Sequence, residues 1–388
     1  MSSHFNESVR VLKNARVVLP DRVIDDGSLV IESGLIAAVG DESAHGDATT
    51  LDLAGAVLLP GFIDVHIHGA MGFDVMDAAP DDLGKVSTYL ASQGVTGWLP
   101  TFVPASDENY ASAVAAISQA MGNAGARVLG VHYEGPFVNT AQCGALHTEH
   151  FKTYSGPGDL DALPVPGDGV RMITLAPEIS GGVELVRELS SRGWVISIGH
   201  TRADLKILAE ACDAGACHMT HFMNAMAPLH HRSPGPIAWG LSRDDVTFDL
   251  IADGLHLDRF MLSLLLKIKG AKGISLISDA IAAMGKGDGN YQIWGETISV
   301  KNGRTANASG SIAGSVISML DAVRLMHSLG VSHVDLAQMA ALNPARLLKM
   351  DRVCGSIEVG KRADLVALDQ EGNVQLTLVG GQVAFSRG

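Results

Sequence analysis

Residues 57–69 read VLLPGFIDVHIHG, an apolar run interrupted by Pro60-Gly61 and closed by two histidines one residue apart. Seven more runs of this kind follow: GVTGWLPTFV (94–103), VLGVHYEGPF (128–137), VRMITLAPE (170–178), WVISIGHT (194–201), ACHMTHFMN (216–224), TFDLIADGLH (247–256) and GISLISDAI (273–281). The stretches between most of them, such as 80–93, 107–121, 182–191 and 202–214, are amphipathic at helical spacing. Continuous apolar strands alternating with helices predict a parallel sheet with helices on its faces, and eight units are the number that closes a barrel. The expected fold is therefore α/β, a (β/α)₈ TIM-type barrel over residues 57–354. The segments outside it, 1–56 and 355–388, read instead as short alternating strands broken by Asp/Gly turns, and predict a small β-sandwich domain formed by both chain ends. Residues 285–310, rich in Gly and Asn, predict a hairpin excursion after the eighth strand.

The 388 residues, 47% hydrophobic and 18% charged, are enough for one large barrel and a small accessory domain. The formal net charge of −14 argues against a nucleic-acid or anionic-membrane partner, because those are held through clustered Lys and Arg. It leaves room for a small phosphorylated ligand, which one or two local cations can hold. The start, MSSHFNESVR, lacks the parts of a secretory signal, and no run approaches the ~20 apolar residues of a membrane helix. A soluble, cytoplasmic protein is expected. Cys143, Cys212, Cys217 and Cys354 show no recognisable pair spacing and read as packing residues of a reducing compartment.

The polar residues of the runs collect at their C-terminal ends, the catalytic face of such a barrel: His66, His68, Glu134, His200, His221, His256 and Asp279. His66 and His68 share one face of a strand, as two imidazoles meant for a divalent metal would; taken alone, a pair of pore-facing histidines is the other reading. Glu134 precedes Gly-Pro, which stops the strand and frees the carboxylate toward the barrel mouth; a salt-bridged structural glutamate is the alternative. With His200 and His221 it would make an open three-ligand metal site. His218, three residues earlier, has the wrong parity for a ligand and is expected to be an ordinary buried or helix-facing histidine. Asp279 either exchanges protons with a water on the metal or caps the following helix.

The segments PGFIDVHIHG, GVHYEGPF, SIGHT, THFMNAM, HHRSPG, LIADGLH, LISDA, ASGSIAGS, NPARLL and GSIEVGKRADLVALD resemble, nearly end to end, the N-acetylglucosamine-6-phosphate deacetylases of the amidohydrolase superfamily, including their N-acetylgalactosamine-6-phosphate relatives. The resemblance implies hydrolysis of an N-acetylated amino-sugar 6-phosphate to the amine and acetate by a metal-held water, with Asp279 as acid and base. It implies one or two divalent metals per subunit, zinc first and Fe, Mn, Co or Ni as alternatives, on Glu134, His200 and His221, with His66 and His68 serving a second ion. Asn224, Ala225, Arg232, His256, Ile312, Ala313 and Gly314 would line the sugar-phosphate pocket, Arg232 reaching that of a neighbouring subunit in a homodimer. One departure stands out. Where many members carry Gly-Ala-His, this chain has Gly144-Ala145-Leu146-His147, and leucine cannot donate a hydrogen bond to the acetamide carbonyl. Either His147 takes that part after a one-residue shift or the contact is lost. Ser233, after the arginine, replaces a usual acidic residue. The rival readings are an amidohydrolase for a cyclic amide or an N-acyl-D-amino acid, which need no phosphate-binding Arg232, and an inactive scaffold, which would have eroded ligands.

Overall fold

The computed structural model describes residues 11–40, 49–167 and 169–387; the first ten residues, read above for targeting signals, lie outside them. Eight parallel strands pair in chain order: Phe62–Ile67, Val95–Phe102, Gly130–Glu134, Val170–Leu175, Val195–Ile198, His218–Met219, Thr247–Ile251 and Ile274–Ile277. A parallel bridge between Ile67 and Ala280 brings the last strand back to the first. Alternate side chains of the strands, Ile63, Val65, Leu99, Met172, Val195, Ile251 and Ile277, meet in one buried cluster that fills the barrel's lower interior. The opposite faces pack on the surrounding helices. Helix Gly182–Ser191, for example, buries Val183, Leu185, Val186 and Leu189, the stripe that its sequence spacing predicts.

The run 57–69 proves to be two strands. Val57–Pro60 pairs with Arg16-Val17 on one side and with Leu365–Leu368 on the other, so it belongs to the terminal sheet, and only Phe62–Ile67 enters the barrel. Gly61 makes the crossing, and a side chain there would collide with Thr96, whose Cγ2 lies 2.1 Å from the position of a Cβ. The terminal domain is a single eight-stranded sheet drawn from both chain ends, with its own core of Leu12, Val17, Leu29, Ile36, Leu58, Leu365, Leu376 and Leu378. The excursion after the eighth strand is a three-stranded antiparallel sheet, Gly289–Ile293, Glu296–Lys301 and Arg304–Ala306. Its first turn is the two-residue loop Trp294-Gly295, with φ of 52° and 78°. Such turns favour Asn-Gly, and a left-handed backbone costs a bulky residue ~1–2 kcal/mol.

One expectation about the cysteines is corrected. Cys212 and Cys217 form a disulfide with Cα atoms 4.8 Å apart, leaving Cys143 and Cys354 free. The chain doubles back after helix Leu205–Asp213, where the Gly215 amide donates to the Cys212 carbonyl and the Ala216 amide to that of Ala211, and this turn brings the two thiols together. Among the described residues no helix is long and apolar enough to cross a membrane.

Candidate active site

A hydrogen-bonded chain crosses the barrel interior above the apolar floor. His132 Nδ1 donates to the Val65 carbonyl, so its Nε2 accepts from Thr174; Thr174 in turn accepts from Thr220, and Thr220 from Ser197, at 2.5 to 2.8 Å throughout. Burial first, and then the neighbouring His66 charge, hold the pKa of His132 well below the usual range, which suits its place as a neutral link. His218 lies in the same interior, its Nδ1 2.7 Å from Thr247 Oγ1 and its Nε2 3.0 Å from Asp249 Oδ2. It is a buried structural histidine, facing into the barrel rather than toward a helix.

Above this layer the strand ends bring His66, His68, Glu134, His200, His221 and Asp279 together, all buried. Three of them sit on left-handed backbone, with φ of 48° at His200, 30° at His221 and 49° at Asp279. At His200 and His221, which are out of phase with the interior residues of their strands, the kink turns the side chain into the mouth. At Asp279 it is held from both sides, because its amide donates to the His66 carbonyl and its own carbonyl accepts from Ser315. Gly314 passes so close that a Cβ there would lie 2.9 Å from the Asp279 carbonyl oxygen. Asp64, on the strand of His66, accepts from the Ser278 hydroxyl at 2.5 Å and so ties the two strand ends together; burial pushes its carboxyl up to about 7.

Glu134 is the common member of two triads. Its Oε1 stands 2.9 Å from Nε2 of both His200 and His221, and its Oε2 stands 3.4 Å and 3.6 Å from Nε2 of His68 and His66. The sets Glu134-His200-His221 and His66-His68-Glu134 each place their ligand atoms within 4.8 Å of one another, as a metal site requires. Asp279 Oδ1 faces the second set, 3.2 Å from His68 Nε2 and 3.5 Å from His66 Nε2. The chain beyond Asp279 continues into an extended bridge at Ala280, not into a helix, so Asp279 is no helix cap.

The donor set fits a cation. Nδ1 of His200 donates to the Gln142 carbonyl and Nδ1 of His68 to that of Thr101, which in the neutral tautomers leaves each Nε2 a lone pair aimed at a carboxylate oxygen. Lone pairs facing each other at such distances repel unless a proton or a metal lies between them. Without metal, protons take that place. Burial opposes a charge on His68, yet hydrogen bonds to Asp279 and Glu134 raise its pKa to about 10, and Glu134 likewise raises that of His221. In return, although burial works against it, the histidines hold Glu134 well below the usual carboxylate range and Asp279 below it as well.

These groups open onto a cavity of about 150 Å³ lined also by Gly144, Ala145, Leu146, Asn224, Ala225, His256, Trp294, Ile312 and Gly314. Of the residues expected at a sugar-phosphate pocket, Asn224, Ala225, His256, Ile312 and Gly314 are therefore gathered here. Ala313 is fully buried behind them. His147 is not brought to the cavity: its ring lies 3.8 Å from Glu149 and 3.9 Å from Glu296, and Leu146 takes the place on the wall. Arg232 lies outside the lining, exposed, with its guanidinium donating to His231 Nε2 at 2.7 Å. The sequence reading missed Asp64, Asp253 and Trp294. Asp253 accepts from His256 Nδ1 at 2.6 Å and fixes that ring; its position three residues upstream in ADGLH was a usable signal, as was the period-two spacing of Asp64 and His66. Nothing local marked Trp294.

Comparison with known proteins agrees with this geometry. Residues 57–384 match the model of the Amidohydrolase family. The chain is 37% identical to N-acetylglucosamine-6-phosphate deacetylase of Bacillus subtilis over 97% of both chains, and 39% identical to N-acetylgalactosamine-6-phosphate deacetylase of Escherichia coli O157:H7 over 96% of this chain and 99% of that one. A Mycobacterium smegmatis N-acetyl-D-glucosamine-6-phosphate deacetylase mutant, solved in complex with N-acetyl-D-glucosamine-6-phosphate, superposes with a TM-score of 0.89 at 31% identity, covering 98% of this chain and all of that one. A barrel whose strand ends carry this His-Glu-His and His-His-Glu arrangement, with such relatives along its whole length, is an amide-bond hydrolase, and the chain belongs to the amidohydrolase family and within it to the N-acetylglucosamine-6-phosphate deacetylases.

Proposed function

We propose that this chain hydrolyses N-acetyl-D-glucosamine 6-phosphate, or its galactosamine epimer, to the amino-sugar 6-phosphate and acetate. The observation that carries the reaction type is Glu134, one carboxylate shared by two histidine pairs, with Asp279 beside it. The substrate is supported by the names of the relatives above. A divalent ion on Glu134, His200 and His221, with room for a second on His66 and His68, would supply Lewis acidity to the attacking water and to the amide carbonyl. Among such ions the imidazole-carboxylate donor set suits zinc first, with Fe, Mn, Co and Ni also compatible.

The protein's own part is to orient and to move a proton. Held below the usual carboxylate range, Asp279 is ionised at neutral pH and takes the proton of the incoming water. The water oxygen bonds to the acetamide carbon, the C–N bond breaks, and Asp279 passes its proton to the departing amine. Asn224 and the His256 ring held by Asp253, both in the cavity lining, would receive sugar hydroxyls.

A cavity of about 150 Å³ is small for a whole hexose phosphate, since ligand sites commonly run to ~300 Å³ or more. That favours completion of the pocket by a second subunit, and Arg232 is the cation on offer. Leu229, on a loop and 58% exposed, and Phe260, in the first turn of helix Arg259–Lys269 and 71% exposed, would be covered in such a homodimer. A cytoplasmic setting follows from the substrate, whose phosphate keeps it in the compartment where it is made; there the Cys212–Cys217 pair would face a reducing thiol pool. The test is acetate release from the two epimeric 6-phosphates with metal analysis of the same sample. Turnover of neither epimer by metal-loaded protein would sink the proposal.

A further inference from the structure

The hairpin turn Trp294-Gly295 breaks a local rule, and the side chain it carries reaches beyond the hairpin. Its first residue adopts a left-handed backbone, φ 52°, where Asn or Gly would sit without strain. The hairpin's own packing is carried by Ile293, Ile298 and Val300 against Ile281 and Ala283. The indole packs against the edge of that cluster and also enters the active-site cavity, where it meets the His68 ring edge to face, centroids 5.2 Å apart at 82°. Its N–H is buried facing Asp74, whose carboxyl is pushed up to about 6 by burial while the Met76 amide and the indole act in the opposite sense. Strain retained at a site lined by reactive groups points to a role there.

The cavity lining is of two kinds: Asn224 and His256, from the loops after the sixth and seventh strands, are polar, whereas Leu146 from the loop after the third strand, Trp294 from the excursion and Ile312 just beyond it are apolar. An N-acyl amino-sugar phosphate is divided in the same way, its hydroxyls at one end of the amide and its acyl chain at the other. We propose that Trp294, backed by Leu146, is the wall that meets the acyl chain and restricts the substrate to N-acetyl groups, which makes it a specificity-determining residue. The inference rests on the N-acyl amino-sugar reading given above.

The test compares N-acetyl-, N-propionyl- and N-butyryl-glucosamine 6-phosphate with the metal-loaded wild type, Trp294→Gly and Trp294→Phe. Glycine suits the turn's backbone, so that variant removes the wall without straining the fold. One methylene too many against a packed wall costs ~10–200-fold in kcat/KM. The wild type should fall by that order at each added carbon. Trp294→Gly should raise the butyryl-to-acetyl ratio at least ~10-fold, and Trp294→Phe should keep the wild-type ratio. A purely structural tryptophan would lower all three substrates alike, and an unchanged ratio overturns the proposal. Calorimetric binding of the same series, with and without the tryptophan, in an Asp279→Asn background separates the two levels. Binding graded by acyl length and levelled by Trp294→Gly, without wild-type turnover, would overturn the reaction and leave the wall standing. Failure of every member of the series to bind overturns both.

Discussion

Replacing Glu134 by glutamine keeps the shape of the side chain and removes its charge, and the position of that charge sets the expected result. Its two oxygens lie 2.9 to 3.6 Å from the Nε2 atoms of four histidines. A cation bound among such atoms meets a full negative charge at ~4 Å, worth about 4 kcal/mol per unit of cationic charge at an effective dielectric near 20. That is about three decades of affinity, and a divalent ion feels more. Glu134→Gln should therefore weaken metal binding on the order of 10³-fold or more, and at both triads, because both use this carboxylate. His200→Ala removes a ligand from one triad and His66→Ala from the other, so each should spare the opposite set. Competition against a chelating indicator, with metal counted after desalting, reads all three variants. Glu134→Gln binding within about tenfold of wild type would refute the reasoning, as would losses confined to the His200 set.

Asp279→Asn should retain metal while kcat falls at least ~10²-fold, since an amide cannot accept the proton; near-normal turnover would remove Asp279 from the mechanism. Arg232→Ala should chiefly raise KM for the phosphorylated sugar and matter little for the sugar without phosphate, and mixed dimers with Asp279→Asn should regain about one working pocket if the arginine acts across the interface. Equal losses on both sugars would favour a cyclic-amide or acyl-amino-acid substrate. Burial pushes the Cys354 thiol up to about 11, so at pH 8 it stays neutral and labels slowly, its rate climbing only as pH approaches that value; the half-buried Cys143 should label first. Unfolding without reductant should then expose just these two thiols, and a count of four would show that Cys212 and Cys217 are unpaired.

The barrel was legible because its strands are buried on both faces, so their apolar runs stand out and their ends carry the chemistry. The sixth run shows the limit. The nine-residue run 216–224 suggested a full strand, yet only His218–Met219 pairs, since left-handed backbone at His221, Met223 and Ala225 turns the rest into loop. A non-glycine residue in that conformation leaves no mark in the sequence. The same kink makes His221 a possible ligand although it is out of phase with the interior His218. The polar links within the barrel were hidden for another reason: His132 finds Thr174 and Asp64 finds Ser278 across 42 and 214 residues, and local composition records only that a polar residue interrupts an apolar run. The Cys212–Cys217 pairing was likewise invisible, because spacing alone does not say which thiols meet.

The central place of Val57–Pro60 in the terminal sheet bears on how the chain is made. One neighbour, Arg16-Val17, has already left the ribosome when this strand emerges, but the other, Leu365–Leu368, comes roughly 300 residues later. At ~5–20 residues per second that interval lasts on the order of 15–60 seconds. Throughout it an apolar strand presents an open edge, a template on which another nascent copy can pair. Closure of the small sheet therefore waits on residues 365–368, and a chain cut short before them would leave that edge of Val57–Pro60 without its partner.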